Sequence, residues 1–280
     1  MSSELRIVIA SYGPAQFHLL HTIVAAAGHI PVAYLVSRSL RPSSVPEPDI
    51  LAGVTAVLND LPAEMDLLLP GNARSVATML AGYQPDLLLV FGFNWRLPRE
   101  VLELPRLGVL NVHPSELPKY RGPSPELWAI RNGDPSMGLT VHRMTGRIDA
   151  GPVLAQVAGL AIPERVTREG VWRAEETALP DLLRTALDRA ASGDPGTPQD
   201  ESMATYAGFP PSEWFSVTWQ GGRQDVHNQV RVLRFIMGQG PIAKFRGRDV
   251  RIERTSVTDD GGIRVECADG PLWVTFSAAS

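Results

Sequence analysis

The chemistry-bearing residues of this 280-residue chain collect in one stretch, from Asp86 to Gln156. Asn111 and His113 stand two apart at the end of an apolar run that starts at Leu107. Residues two apart on a strand project from one face, so an amide and an imidazole would enter the same cleft. Further on, Val141-His142-Arg143-Met144 leads to Ile148-Asp149-Ala150-Gly151-Pro152, which brings a carboxylate to the end of a later strand. An uncharged N–H donor, a group that titrates near neutrality and a carboxylate together suit the holding of developing negative charge and the movement of a proton. Each residue also has a plain structural use. Asn111 could end a strand in a turn, His113 could be buried against a backbone carbonyl, and Asp149 before Ala-Gly-Pro could start a turn. His142 alternates with its strand neighbours and reads as structural.

The elements that must carry these side chains are legible as a pattern. Leu5–Ala10, Asp86–Phe91 and Leu107–Val112 are nearly all apolar, as buried parallel strands are, and Pro31–Ser37 and Leu139–Met144 read as further strands. Helical spacing runs over Gln16–Ala27, closed by Gly28, over Ala73–Ala81, from Pro98 to Glu103, and over Thr167–Ala191. The stretch Leu40–Pro48, rich in proline and serine, predicts a loop. Strands alternating with helices predict an α/β fold with a Rossmann-like, doubly wound, mostly parallel sheet. In such a sheet chemistry collects beyond the carboxyl ends of the strands, where Asn111, His113 and Gly92–Arg96 fall. After Ser192-Gly193-Asp194-Pro195-Gly196 the pattern changes to short alternating strands at Val250–Ile252, Ile263–Cys267 and Leu272–Phe276, the pattern of a small β-barrel. The expected division is therefore a large domain over 1–195 and a small one over 203–280.

Composition narrows the function. A formal net charge of −4 steers the chain neither to nucleic acid nor to an anionic membrane. Cys267 is the single cysteine, so neither a disulfide framework nor a thiolate metal cluster forms within one chain. None of the six histidines sits in a spaced ligand motif, and no metal is expected. The start runs directly into a strand without the apolar stretch of a signal peptide, and no run is long enough to span a bilayer. A cytoplasmic location is the expectation.

The combined motifs carry a resemblance. Asn111-x-His113, the loop Leu117-Pro118-Lys119-Tyr120-Arg121-Gly122, and Asp149-x-Gly151 make the chain resemble the folate-dependent formyltransferase superfamily, which includes methionyl-tRNA, glycinamide-ribonucleotide and nucleotide-sugar formyltransferases. Ala204-Thr205-Tyr206, Trp219 and Val226–Arg231 resemble the linker and OB-like domain of the methionyl-tRNA enzymes. The resemblance implies an OB-like second domain and an N-formyltransferase that uses 10-formyltetrahydrofolate and releases tetrahydrofolate. It implies Asn111, His113 and Asp149 as catalytic residues, and transfer by direct attack of an amine on the formyl carbon. Asn111 would stabilise the oxyanion, His113 would donate to it or handle the amine's proton, and Asp149 would tune His113. Two loops would read the folate: Phe93, Asn94, Trp95, Arg96 and Leu97, and then Thr145, Gly146, Arg147 and Ile148 leading to Asp149. Tyr12, Ser115, Tyr120 and Arg121 are the expected acceptor-side residues.

The acceptor is less legible. The first loop, Ser11–Gln16, lacks the glycine-rich phosphate cradle of the glycinamide-ribonucleotide enzymes. Arg38–Pro46, after the second strand, lacks the lysine- and glycine-rich insertion of the tRNA enzymes. Eight basic residues between Arg223 and Arg254 form a modest patch that also suits a solvated barrel face. These features favour a small-molecule amine, such as an amino sugar nucleotide or a specialised-metabolite precursor, over initiator methionyl-tRNA. A 10-formyltetrahydrofolate hydrolase, which would release formate without an acceptor, and a non-catalytic binding module are the other readings.

Overall fold

The computed structural model describes residues 4–278. The chain runs β1 (Arg6–Ala10), α1 (Pro14–Ala26), β2 (Ile30–Leu35), α2 (Pro48–Asn59), β3 (Leu67–Leu68), α3 (Ala73–Tyr83), β4 (Leu87–Val90), α4 (Arg99–Leu102), β5 (Val109–His113), α5 (Pro125–Asn132) and β6 (Ser136–Arg143). It continues through β7 (Val153–Ala161), α6 (Arg168–Ala191), α7 (Arg223–Met237), β8 (Ile242–Phe245), β9 (Arg248–Ser256), β10 (Ile263–Cys267) and β11 (Gly270–Ala278). Proline in the first turn starts α1, α2 and α5, where its missing N–H costs nothing. Asn72 and Ser75 close a capping box at the start of α3. Among the described residues no helix is long and apolar enough to cross a membrane.

Seven strands form one sheet in the order β3-β2-β1-β4-β5-β6-β7. β1 lies parallel to β2 on one side and to β4 on the other, and β4 is parallel to β5. The winding therefore reverses between β1 and β4, the place where an open α/β sheet leaves a crevice at its carboxyl edge. β5 and β6 are antiparallel. The four residues of β4 are all buried, and Val8, Ala10, Leu35, Leu80, Leu88 and Val109 lie in one apolar cluster with it.

By contact density the chain divides into two compact units. The first holds residues through Pro118 with Leu139–Val157 and Glu176–Ala204, and the second holds Lys119–Gly138, Ala158–Glu175 and the residues from Thr205 on. In the second unit a curled four-stranded antiparallel sheet, ordered β10-β11-β9-β8, packs against α7. Val226, Val230 and Leu233 of α7 bury against Ala243, Ile252, Val265, Leu272 and Val274. The same unit buries a pair of carboxyl groups. Burial, then the neighbouring Glu126, pushes Glu175 well above the usual carboxylate range, and burial pushes Glu126 up as well.

Several elements were not expected from the sequence. α2 occupies the chain beyond the loop at Leu40–Pro48, and its weak apolar spacing buries only Val54 and Val57. β3 is too short for a period to show, and β8 spans four residues. β7 has a mixed burial pattern rather than an apolar run. α5 is only eight residues long, so its two turns leave little periodic signal. α7 buries polar His227, Asn228 and Gln229 beside its valines, which blurs the apolar stripe.

Candidate active site

Asn111 and His113 share one face of β5, as their spacing predicts, and β6 supplies the residues opposite them. In the antiparallel register Asn111 faces His142 and His113 faces Thr140. Asn111 Nδ2 lies 3.2 Å from His142 Nε2, and His142 Nδ1 lies 3.0 Å from the carbonyl of Arg143. A carbonyl only accepts, so Nδ1 of His142 carries the proton and, in the neutral ring, Nε2 accepts from the Asn111 amide. One N–H of Asn111 is thereby used and its second remains for an incoming oxygen. His142, read from the sequence as structural, is a member of this cluster. The missed signal was its register opposite Asn111, which only the pairing of two strands reveals.

Asp149 stands between the two histidines. Its carboxylate oxygens lie 3.7 Å from His113 Nδ1 and 3.6 Å from His142 Nε2. Both separations exceed a hydrogen bond but lie well within electrostatic reach. The side chains of His113, His142 and Asp149 are 5%, 1% and 14% exposed, so a charge developing among them would be little screened by water. Asp149 itself is held in the left-handed region at φ 46°. Its loop closes against β6: a Cβ at Gly151 would meet the Arg143 carbonyl oxygen at 1.7 Å, so only glycine fits. Gln199 then donates to the carbonyls of Asp149 and Gly151 at 2.8 and 2.7 Å. Sequence reasoning did not single out Gln199, because nothing local marks a side chain that acts from 50 residues away.

The two loops expected to read folate come together. Arg96 donates to the carbonyl of Gly146, and a cleft of about 640 Å³ is lined by Arg96, Leu97 and Pro98 on one side and by Met144, Thr145 and Gly146 on the other. The first loop alternates, with Asn94 and Arg96 exposed and Trp95 and Leu97 buried. Trp95 is turned into the core, where its indole N–H donates to the Ser39 carbonyl at 2.7 Å and its ring meets Phe93 edge-on. Trp95 does not line the cleft. Asn94 donates to Ser37, Arg147 pairs with Glu201 at 2.7 Å, and Ile148 is half exposed.

Tyr12, just past β1, lies over Gly92, just past β4, at the crevice where the winding reverses. A Cβ on Gly92 would fall 2.2 Å from the Tyr12 ring, and Gly92 has φ 81°, so both space and backbone require glycine there. Ser115 is buried, and its carbonyl accepts from Thr140, which also bonds Leu117 N and Gln156. Tyr120 and Arg121 belong to the second unit. There Tyr120 donates to Asp134 and accepts from Asn132, while the Arg121 backbone pairs with the segment at Tyr206. Among the described residues no cluster of His, Cys, Asp or Glu could hold a metal ion.

The mostly parallel sheet thus brings an amide, two imidazoles and a carboxylate together at the β5–β6 pair and the loop after it. A family model for formyl transferases matches residues 71–183, which contain the whole cluster, and the chain belongs to the formyl transferase family. It is 31% identical to the methionyl-tRNA formyltransferase of Pelobacter propionicus over 235 residues, 78% of this chain and 71% of that one. It is 36% identical to the Borrelia duttonii methionyl-tRNA formyltransferase over 171 residues, which span 61% of this chain and 54% of that one, so the chain covers only about half the length of that relative. Its fold is also that of the N-formyltransferase from Helicobacter canadensis, solved with folinic acid and dTDP-3-aminofucose. That likeness has a TM-score of 0.66 at 15% identity, over 98% of this chain and 100% of the other.

Proposed function

We propose that the chain is an N-formyltransferase that moves the formyl group of 10-formyltetrahydrofolate onto the amine of a small molecule, an amino sugar nucleotide or a specialised-metabolite precursor. The observation that carries this reading is the convergence of Asn111, His113 and Asp149 within the family-matched segment, with Asp149 following in sequence from Thr145 and Gly146 of the cleft wall. That cleft has the size of a small-molecule site, and its exposed main-chain groups at Thr145 and Gly146 can pair with a pteridine edge. Folinic acid in the Helicobacter canadensis enzyme is a formylated folate of the same class.

The amine's lone pair attacks the formyl carbon, a C–N bond forms, and the carbonyl electron pair moves to oxygen. The free N–H of Asn111, together with His113, donates to that oxygen. Collapse breaks the bond to the folate nitrogen, which leaves with the electron pair and takes a proton. The attacking nitrogen gives one up. Asp149, between the histidines, favours the imidazolium that carries this proton. No side chain is acylated, so no Ser or Cys nucleophile is needed.

The small-molecule acceptor is supported by the weakly basic segment after β2, where Arg38 and Arg41 are the only cations before Pro46, and by the acidic chain. Methionyl-tRNA is the second reading, and the identity to the Pelobacter enzyme favours it. The test is incubation with 10-formyltetrahydrofolate and a panel of nucleotide amino sugars, other small amines and initiator methionyl-tRNA, read by mass gain of one formyl group. Formylation of a small amine with weak salt dependence supports the proposal. Formylation of the tRNA alone, falling steeply with salt, replaces it with the second reading. Formate release with no acceptor makes the chain a hydrolase.

A further inference from the structure

The second unit contains a cavity whose lining includes none of the candidate active-site residues. It measures about 440 Å³ and lies among the segment Glu164–Val166, the helix α7 and the strands β9 and β11. Four guanidinium groups line it, those of Arg165, Arg231, Arg234 and Arg254, against the carboxylates of Glu164, Glu253 and Asp260. Those carboxylates are engaged. Glu164 takes a 2.8 Å hydrogen bond from His227, Asp260 pairs with Arg254 at 3.0 Å, and Glu253 stands 3.7 Å from Arg234. Arg231 spends its donors on neutral carbonyls, those of Pro163 and Glu164, at 3.0 and 3.1 Å. Burial lowers its pKa, and the charge of Glu164 opposes that shift. Arg165 is exposed and makes no hydrogen bond or ion pair among the described residues.

The floor of the cavity is fixed. His227 is buried, and its Nδ1 lies 2.9 Å from Thr255 Oγ1 while its Nε2 donates to Glu164. Thr255 and Ser256 have their hydroxyls committed within the protein, whereas Thr275, which also lines the cavity, makes no side-chain hydrogen bond among the described residues. Four arginines against three carboxylates leave the lining with an excess of positive charge, which suits an anion. Guanidinium forks match phosphate oxygens in pairs, and the volume lies in the range of nucleotide-sized ligands.

We propose that this cavity is a second ligand site, which binds a phosphate-bearing small molecule of about nucleotide size through Arg165, Arg254 and Thr275. The site is separate from formyl transfer and does not rest on that reading. It also gives a use to Arg254, a member of the basic stretch that the formyl-transfer chemistry leaves unexplained.

The test titrates the full chain with pyrophosphate, with a nucleoside diphosphate and with inorganic phosphate, by calorimetry at constant ionic strength. Saturable binding of pyrophosphate or the diphosphate at one site is expected. Arg165→Gln and Arg254→Gln, both surface positions whose replacement leaves the core untouched, should each weaken it by about tenfold. Arg248→Gln, an exposed arginine outside the cavity, should leave it unchanged. Absence of saturable binding overturns the proposal. So does equal weakening by Arg248→Gln, which would mean diffuse attraction, and so does binding of tRNA lost in the cavity variants while pyrophosphate fails to bind.

Discussion

The two units each set an imidazole beside a carboxylate, and they do so in opposite ways. In the second unit His227 and Glu164 close to 2.8 Å, with the acid 73% exposed and the ring buried. In the first, Asp149 is partly buried, and its carboxylate oxygens lie 3.6–3.7 Å from two buried rings. A closed pair with a solvated acid fixes a ring in place and has little left to give. The more open spacing around Asp149 leaves a partly buried carboxylate near two rings, placed to stabilise a charge that develops on either during reaction.

The comparison breaks most visibly at the open site. Asn111→Ala, His113→Ala and Asp149→Ala are each expected to lower turnover by at least about 10²-fold with the fold intact, and combined variants should lose little more because the groups serve one intermediate. Near-normal turnover of His113→Ala at saturating donor would end the mechanism. Next comes Gly151→Ala, whose Cβ cannot coexist with the Arg143 carbonyl. Moving the Asp149 loop should cost about 1–3 kcal/mol in chemical denaturation and reduce activity with it. His142→Ala should lower kcat by about tenfold through a misoriented Asn111 amide. An unchanged kcat would return His142 to a purely structural role.

Smaller effects sharpen the contrast from the closed side. Glu175 has a folded-state pKa raised above its ordinary 4.5, so its contribution is fully present below that value and is lost as pH climbs toward the raised one. Thermal stability should therefore show a declining component above about pH 4.5, and Glu175→Gln should remove it, lifting Tm by roughly 2–4 °C at pH 8. A variant that melts lower than its parent at pH 8 would contradict the raised pKa. The smallest change is expected from Glu164→Gln. The partner of His227 is mostly solvated, and an amide oxygen still accepts its proton, so denaturant unfolding should move by less than about 1 kcal/mol.

What the sequence revealed and what it hid follow from the range of the interactions. The strands around Leu88 and Val109 were legible because both faces are buried and every residue is apolar. Asn111 and His113 were legible because a period of two is local, and Asp149 because its turn and Gly151 are neighbours in sequence. His142 and Gln199 were hidden because their roles depend on a strand register and on a return of the chain. Trp95 divides the same way. Its place in the loop was clear, but only the Ser39 carbonyl explains why its ring turns inward. The curled sheet was announced by its short alternating strands, while α7, with polar residues packed inside, was not.

The antiparallel pairing of β5 and β6 has a consequence for how the protein acquires its activity. A slip of one residue in that register would set Asn111 opposite Val141 or Arg143 and turn every side chain of β6 to the other face. Under the proposed mechanism, catalytic competence then requires correct alignment of this strand pair. Recovery of turnover after denaturation would report when this one ladder has found its rung.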